Sequence, residues 1–237
     1  MNRDGLFSLV YFLILALHIY AGEQHYEMIA TVSKPAILSS LIIYFVLNLL
    51  KNRKGFFGIL ILAGLCFSLL GDVLLIFQEV PIYFTLGLGS FLVAHIFYIV
   101  AFTKTYLKNH EISLIKKYGW VMLLIAAYAW FFFNAIRDFL GSMIGPVLVY
   151  TMVISLMLLI ALNRFRKVST SSFVWIALGA FFFVASDSLL AWNKFVRDLD
   201  HAHLLIMLTY GLAQYGIARG AVVQLRDVSS KSISTQS

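Results

Sequence analysis

Charged side chains are scarce in this sequence of 237 residues, where Asp, Glu, Lys and Arg together make up 12%. Soluble globular domains are about one quarter charged, so the composition excludes an ordinary soluble domain. Apolar residues account for 61% of the chain, and the mean hydropathy is +0.90. The sequence therefore predicts an integral membrane protein.

Cysteine and β-type alternation are also lacking. Cys66 is the only cysteine and lies in an apolar segment, which excludes an internal disulfide, and no neighbouring group indicates a reactive thiol. The apolar segments have the length of membrane helices and lack the alternation that is typical of outer-membrane barrel strands. No stripe of Lys and Arg alternates with exposed aromatics, so the net charge of +7 does not indicate nucleic-acid binding.

The apolar segments predict an all-α membrane protein, a bundle of eight transmembrane helices. Ile19-Tyr20-Ala21 is a poor match to a signal cleavage site, so the first segment is interpreted as a span. Residues 1–225 form one predicted domain, and residues 226–237 form a polar, disordered, cytoplasmic tail. The expected spans are residues 5–22, 28–50, 55–77, 84–103, 118–135, 143–162, 173–192 and 203–221.

The distribution of basic residues predicts the orientation of the bundle. Arg137, Lys194 and Arg197 lie at one face and Lys34 lies inside a span, whereas the rest of the 18 lysines and arginines lie at the other face. The positive-inside rule then places both termini in the cytoplasm. We expect the chain in a bacterial inner (plasma) membrane with the lipid bilayer as partner, and the sequence leaves its oligomeric state open.

Two carboxylates lie inside predicted spans, Asp72 in the third and Asp187 in the seventh. Each follows a phenylalanine by five residues and precedes a Leu-Leu pair by two. An ionisable side chain near the bilayer centre costs about 2.5–3.5 kcal/mol on insertion scales, so such residues usually mark sites or ion paths. The two aspartates are 115 residues apart, and the same interval relates His95 to Tyr210, which favours a weak 4+4 parallel repeat.

Several other polar residues fall at a depth similar to that of the two aspartates. We expect this polar layer to line one cavity that opens toward the non-cytoplasmic leaflet. Lys34 alone is equally compatible with a structural role, and a lone His95 is more often a packed bundle residue than a ligand. The members of the layer are Lys34, Asp72, His95, Tyr150, Asp187, Tyr210 and Gln214, with Asn193 and Lys194 at its outer boundary.

The two aspartate motifs resemble those of the lysoplasmalogenase family, the YhhN-like eight-span membrane hydrolases. The resemblance covers nearly the whole chain and implies hydrolysis of the vinyl-ether bond of lysoplasmalogens, which releases a fatty aldehyde and a glycerophospho-alcohol. It implies a lysophospholipid substrate, and we expect no cofactor and no metal. The matching elements are Gly71-Asp72-Val73-Leu74-Leu75, Gly87 with Phe91, His95 and Tyr98, the run from Ser186 to Phe195, Lys34-Pro35, and Tyr210.

Vinyl ethers break by protonation at carbon, which gives an oxocarbenium ion that water captures. Such a reaction needs an acid, a group that activates water and a negative charge near the cation. We interpret Asp187 as the acid and Asp72 as the base and cation stabiliser, although the sequence leaves open which is which, and His95 as a proton relay or orienting group. The predicted substrate-binding residues are Lys34, Tyr150, Asn193, Lys194, Tyr210 and Gln214. Of these, Lys34, Asn193 and Lys194 are the predicted ligands of the phosphate headgroup.

Two other functions are compatible with the same residues. A metal-dependent membrane lipid hydrolase needs about three converging histidines, whereas only His18 and His95 lie within spans, with His201 and His203 at an edge. A proton-coupled transporter also uses paired intramembrane carboxylates, and a repeat is typical of transporter folds.

Overall fold

The computed structural model describes residues 3–52, 55–106 and 117–234, and within these ranges the chain forms eight α-helices and no strands. Two short 3-10 turns, Arg137–Phe139 and Gly141–Met143, connect α5 to α6. The helices are α1 (Arg3–Glu23), α2 (Glu27–Lys51), α3 (Phe56–Ile76), α4 (Pro81–Tyr106), α5 (Trp120–Ile136), α6 (Ile144–Leu162), α7 (Thr170–Phe195) and α8 (Ala202–Ser234).

The predicted all-α membrane bundle is confirmed, because each expected span coincides with one helix. The first seven helices are long and apolar enough to cross a membrane. Helix α8 is more polar, but its segment from Met207 to Leu225 is largely buried against α7, α1, α2 and α3. It therefore runs through the bundle with the others, and its polar groups face protein rather than lipid.

The prediction of a disordered tail from residue 226 is wrong as far as residue 234, because α8 continues to Ser234. Arg226 explains the continuation, since its guanidinium binds both carboxylate oxygens of Asp4 (2.6 and 2.9 Å) and the side-chain oxygen of Asn48 (2.7 Å). Residues 235–237 lie outside the described ranges.

The same contacts place the two ends of the chain at one end of the bundle. Asp4 at the start of α1 also binds Arg219 of α8 (2.6 Å) and accepts a hydrogen bond from Tyr44 of α2 (3.1 Å). An even number of crossings requires both ends of the chain to lie on the same side of the membrane, which is one part of the predicted topology. The side of the membrane on which this end lies stays a prediction.

Glycines allow α7 and α8 to pack in close contact, and this pair shares the most extensive interface in the bundle. A Cβ atom on Gly179 would lie 2.7 Å from the backbone nitrogen of Ile217 and 2.8 Å from the carbonyl oxygen of Ala213. A Cβ atom on Gly216 would lie 2.8 Å from the carbonyl oxygen of Trp175. Small residues at membrane helix contacts permit such backbone approach, which here fixes the helix of Asp187 against that of Tyr210.

Helices α3 and α4 form the second extensive interface, and glycine again sets their separation. The ring of Phe91 occupies the space beside Gly71, where a Cβ atom would lie 2.6 Å from the ring. Leu75 packs in the same way against Gly87. The backbone of α3 at Asp72 is therefore held directly against α4.

Candidate active site

A cavity of about 840 Å³ lies at the end of the bundle that contains the α1–α2, α3–α4 and α7–α8 connections. Its wall combines carboxylates, amines and aromatic rings, and six helices contribute to it. The residues that line it include His18, Glu27, Lys34, Asp72, Glu79, Phe91, Ser186, Asp187, Asn193, Lys194, Asp198, His203, Met207 and Tyr210.

Asp72 lies in this wall with only 2% of its surface exposed. The hydroxyl of Tyr210 donates a hydrogen bond to its Oδ2 atom (2.8 Å), and Tyr210 in turn accepts one from Nε2 of Gln214 (3.3 Å). Tyr98 donates to Oε1 of Gln214 (3.2 Å). A chain of side-chain hydrogen bonds thus runs from the carboxylate across α8 to α4, and it orients Asp72 toward the cavity.

Asp187 lies in the wall of the same cavity and has its own tyrosine. The hydroxyl of Tyr150 donates a hydrogen bond to Oδ2 of Asp187 (2.5 Å). The neighbouring hydroxyl of Ser186 donates to the carbonyl oxygen of Ile206 (3.1 Å), which joins α7 to α8 at this level. The structure therefore brings the two predicted catalytic carboxylates to one cavity, each held by a different tyrosine.

The three predicted headgroup ligands also line this cavity. Lys34 reaches it from α2, and Asn193 and Lys194 from the last turn of α7. The side-chain oxygen of Asn193 accepts a hydrogen bond from the Leu199 amide (2.9 Å), so it also shapes the α7–α8 connection. The ammonium of Lys194 lies 5.2 Å from the ring centroid of Phe84.

Three members of the predicted polar layer, His95, Tyr150 and Gln214, do not line this cavity. Gln214 is behind Tyr210, in the hydrogen-bond chain already described. His95 is fully buried and packs edge-on against Tyr150 and Phe183, with ring centroids 5.4 and 4.6 Å away. Within the described ranges neither ring nitrogen of His95 has a hydrogen-bond partner. His95 therefore reaches the Asp187 carboxyl group only indirectly, through the ring of Tyr150.

The sequence did not predict a place at this site for the histidines and acids of the cavity rim, since His18 and His203 were considered only as an incomplete set of metal ligands. His18 contacts Ser33 (Nδ1 to Oγ, 2.9 Å), and its ring lies 4.9 Å from that of His203. The two histidines could have been identified from their positions in the sequence. His18 lies near the end of α1 and His203 near the start of α8, at the end of the bundle that also contains Lys34. Glu27, Glu79 and Asp198 gave no such signal, because acids at helix ends are typical of any membrane protein.

The loop before α8 is fastened to α1 beside this rim. The carboxylate of Glu23 accepts hydrogen bonds from the His201 ring (2.9 Å) and from the Leu204 amide (3.2 Å). The hydrogen bond and the negative charge of Glu23 raise the pKa of His201 above its ordinary value. Among the described residues, no group of three or more His, Cys, Asp or Glu side chains is arranged to hold a metal ion.

Comparison with protein families identifies the family of this chain. A model described as the YhhN family matches residues 29–221, well over half of the chain. The chain belongs to the YhhN family. The matched region includes both aspartates, both tyrosines and all three of the predicted headgroup ligands.

Similar proteins are named as lysoplasmalogenases in animals and bacteria. The human lysoplasmalogenase TMEM86B is 32% identical over 171 residues, which cover 72% of this chain and 67% of that protein. The human lysoplasmalogenase TMEM86A is 33% identical over 166 residues, or 68% of this chain and 65% of that protein. The chain thus spans about two thirds of the length of these human relatives.

The lysoplasmalogenase of Mycobacterium tuberculosis is 27% identical over 222 residues, 91% of this chain and 80% of that protein. No solved structure matches this chain significantly.

Proposed function

We propose that this chain is an integral-membrane lysoplasmalogenase that hydrolyses the vinyl-ether bond of a lysophospholipid. The observation that carries the proposal is the placement of Asp72 and Asp187 in one large cavity, in a chain whose relatives are named for this activity. The products are a fatty aldehyde and a glycerophospho-alcohol.

The reaction requires a proton at carbon and a water at the neighbouring carbon. One carboxylic acid, assigned to Asp187, transfers its proton to the alkenyl carbon that is not bonded to oxygen. The resulting oxocarbenium ion is stabilised by the second carboxylate, Asp72, which also takes a proton from the attacking water. The hemiacetal formed in this way collapses to aldehyde and alcohol, so one water is consumed and no oxidant or reductant is needed.

The tyrosines hold the two carboxyl groups in place for these steps. Tyr210 and Tyr150 each donate one hydrogen bond to a carboxyl oxygen, which leaves the other oxygen of each aspartate for substrate or water. Two groups oriented in this way need little reorganisation when charge develops in the transition state.

The polar part of the cavity suits a glycerophosphate headgroup. Lys34 and Lys194 supply positive charge for a phosphate, and lysine binds phosphate as a point charge. Glu27, Glu79 and Asp198 at the rim suit the positively charged amine of an ethanolamine or choline group. We assign the headgroup to this end of the cavity on that charge distribution.

The test is aldehyde release by purified protein from a panel of lysolipids that includes one vinyl-ether lipid and its saturated-ether analogue. Asp187→Asn and Asp72→Asn should each lower kcat by at least about 100-fold, because each removes an acid–base function. Wild-type rates in folded variants would overturn the mechanism. Loss of activity with a chelator, restored by zinc, would favour metal-dependent hydrolysis, and substrate flux into sealed vesicles without products would favour a transporter.

A further inference from the structure

A second, much smaller cavity of about 50 Å³ lies beside the large one, between α4, α5, α6 and α7. Most of its lining residues are apolar, whereas charged and polar residues are frequent in the wall of its neighbour. Its residues are Leu75, Phe84, Leu88, Phe91, Tyr128, Phe132, Val147, Tyr150, Thr151, Ile154, Ser155, Val184, Asp187, Ser188, Leu190, Ala191 and Phe195.

The two cavities share a wall, and Asp187 is part of it. Leu75, Phe91 and Leu190 are the other residues that line both. Tyr150, the hydrogen-bond donor to Asp187, lines only the small cavity, whereas Lys34 and Asn193 line only the large one. The carboxyl group of Asp187 therefore lies at a boundary between a polar and an apolar compartment.

We propose that the small cavity is the binding site for the ether-proximal end of the substrate's alkenyl chain, and that the chain continues between α5 and α7 into the bilayer. This inference rests on the proposed function and assigns a tail site to it. In a lysoplasmalogen the vinyl-ether bond joins the polar glycerol to the apolar chain. When the glycerol of the lipid lies in the large cavity and its alkenyl chain lies in the small one, the vinyl-ether bond between them lies beside Asp187.

The position of Asp187 between the two cavities also agrees with which carbon of the vinyl ether receives the proton. The carbon that receives the proton is the one on the chain side of the vinyl ether, and the carbon that water attacks is the one on the glycerol side. An acid at the apolar boundary and a water in the polar cavity approach these two carbons from the correct sides. The small cavity thus explains why the acid is assigned to Asp187 rather than to Asp72, which lines only the large cavity.

Helix α5 forms the membrane side of the tail site. Only 6% of the 18-residue apolar stretch of this helix is buried inside the protein. Helix α5 therefore lies at the edge of the bundle, with most of its surface free for lipid. The hydroxyl groups of Tyr128 on α5 and Ser188 on α7 are 2.6 Å apart at the exposed edge of the small cavity. Helices α5 and α7 otherwise pack only loosely against each other. We therefore assign the exit of the alkenyl chain to the gap between them, beside this hydrogen bond.

The test is a substitution that fills the small cavity, assayed with substrates whose alkenyl chains differ in length. Ala191 is half-buried and lines only the small cavity, so Ala191→Phe should lower kcat/KM for a long-chain lysoplasmalogen by about tenfold or more, relative to an analogue with a very short alkenyl group. Ala126→Phe is the matched control, because Ala126 is exposed on α5 and lines neither cavity. It should leave the ratio of long-chain to short-chain activity unchanged.

Equal losses for both substrates in folded Ala191→Phe would overturn the tail site while leaving the proposed function intact. Absence of aldehyde from every vinyl-ether substrate with wild-type protein would overturn the proposed function instead.

A second measurement needs no turnover and no variant. A lysophospholipid with a diazirine close to its ether bond should crosslink wild-type protein at residues of the small cavity, such as Leu88, Phe132 or Val147, as mapped by mass spectrometry. Crosslinks confined to the lipid-facing surfaces of other helices would contradict the site, whatever the activity.

Discussion

Each of the two carboxylates proposed to be catalytic accepts a hydrogen bond from one tyrosine hydroxyl. Tyr150→Phe and Tyr210→Phe remove those hydroxyl groups and keep the rings. A hydrogen bond to a charged group is worth about 1.5–3 kcal/mol, so we expect kcat/KM to fall by about 10- to 100-fold in each variant.

Tyr11→Phe is the control for these variants. Tyr11 is as deeply buried, but its hydroxyl donates to the carbonyl oxygen of Gly211 (2.8 Å) and to neither aspartate. It should cost stability without changing kcat/KM. If Tyr11→Phe and the two site variants lower activity to the same extent, the tyrosines act through general stability and not through the carboxylates.

For single residues, the sequence predicted which helix carries each polar residue better than it predicted where the side chain points. The scarcity of charge identified Asp72, Asp187 and Lys34, and hydropathy placed them at one level. The pairing of Asp72 with Tyr210 and of Asp187 with Tyr150 depends on how neighbouring helices are rotated about their axes, which spacing along one helix does not reveal. His95 lies on the expected helix, but it packs against Tyr150 and Phe183 and does not line the large cavity.

The packing of α7 against α8 fixes the distance between Asp187 and Tyr210, and glycine makes this close packing possible. Gly179→Ala would place a methyl group within van der Waals overlap of the α8 backbone, which contains no flexible atom that moves aside. We expect a loss of about 1–3 kcal/mol in unfolding free energy, and reduced activity because α7 carries Asp187. Thermal or denaturant unfolding in detergent micelles measures the first effect.

Gly89→Ala provides the comparison for that variant. No atom lies within 4 Å of a Cβ atom at Gly89, although the residue is also in the interior of a helix. Alanine is favoured over glycine in helices, so this change should leave stability equal or slightly higher. A similar loss in both variants would show that backbone packing between α7 and α8 is not the cause.

The number and limits of the helices were predictable because a bilayer imposes a minimum apolar length on every crossing. The continuation of α8 past residue 225 was not, because it depends on Arg226 and Asp4, which are 222 residues apart in the chain. A polar composition predicts disorder only when no tertiary contact compensates for it.

Orientation belongs to the molecule as a whole, and a cysteine experiment tests it. With Cys66 replaced by alanine, Asp200→Cys and Lys51→Cys carry exposed single thiols at opposite ends of the bundle. The distribution of basic loops predicts that an impermeant maleimide labels Asp200→Cys in intact cells and Lys51→Cys only after the membrane is opened. The reverse pattern would invert the proposed topology and place the large cavity at the cytoplasmic face.

With the lipid bound as proposed, the wall shared by the two cavities lies between the two products. Hydrolysis beside Asp187 leaves a water-soluble fragment on one side and an oily aldehyde on the other. Each fragment leaves into the solvent that favours it, so neither has to pass the other on its way out. Re-encounter of the two fragments is then rare, and the enzyme turns an interfacial lipid into two species in different phases in a single event.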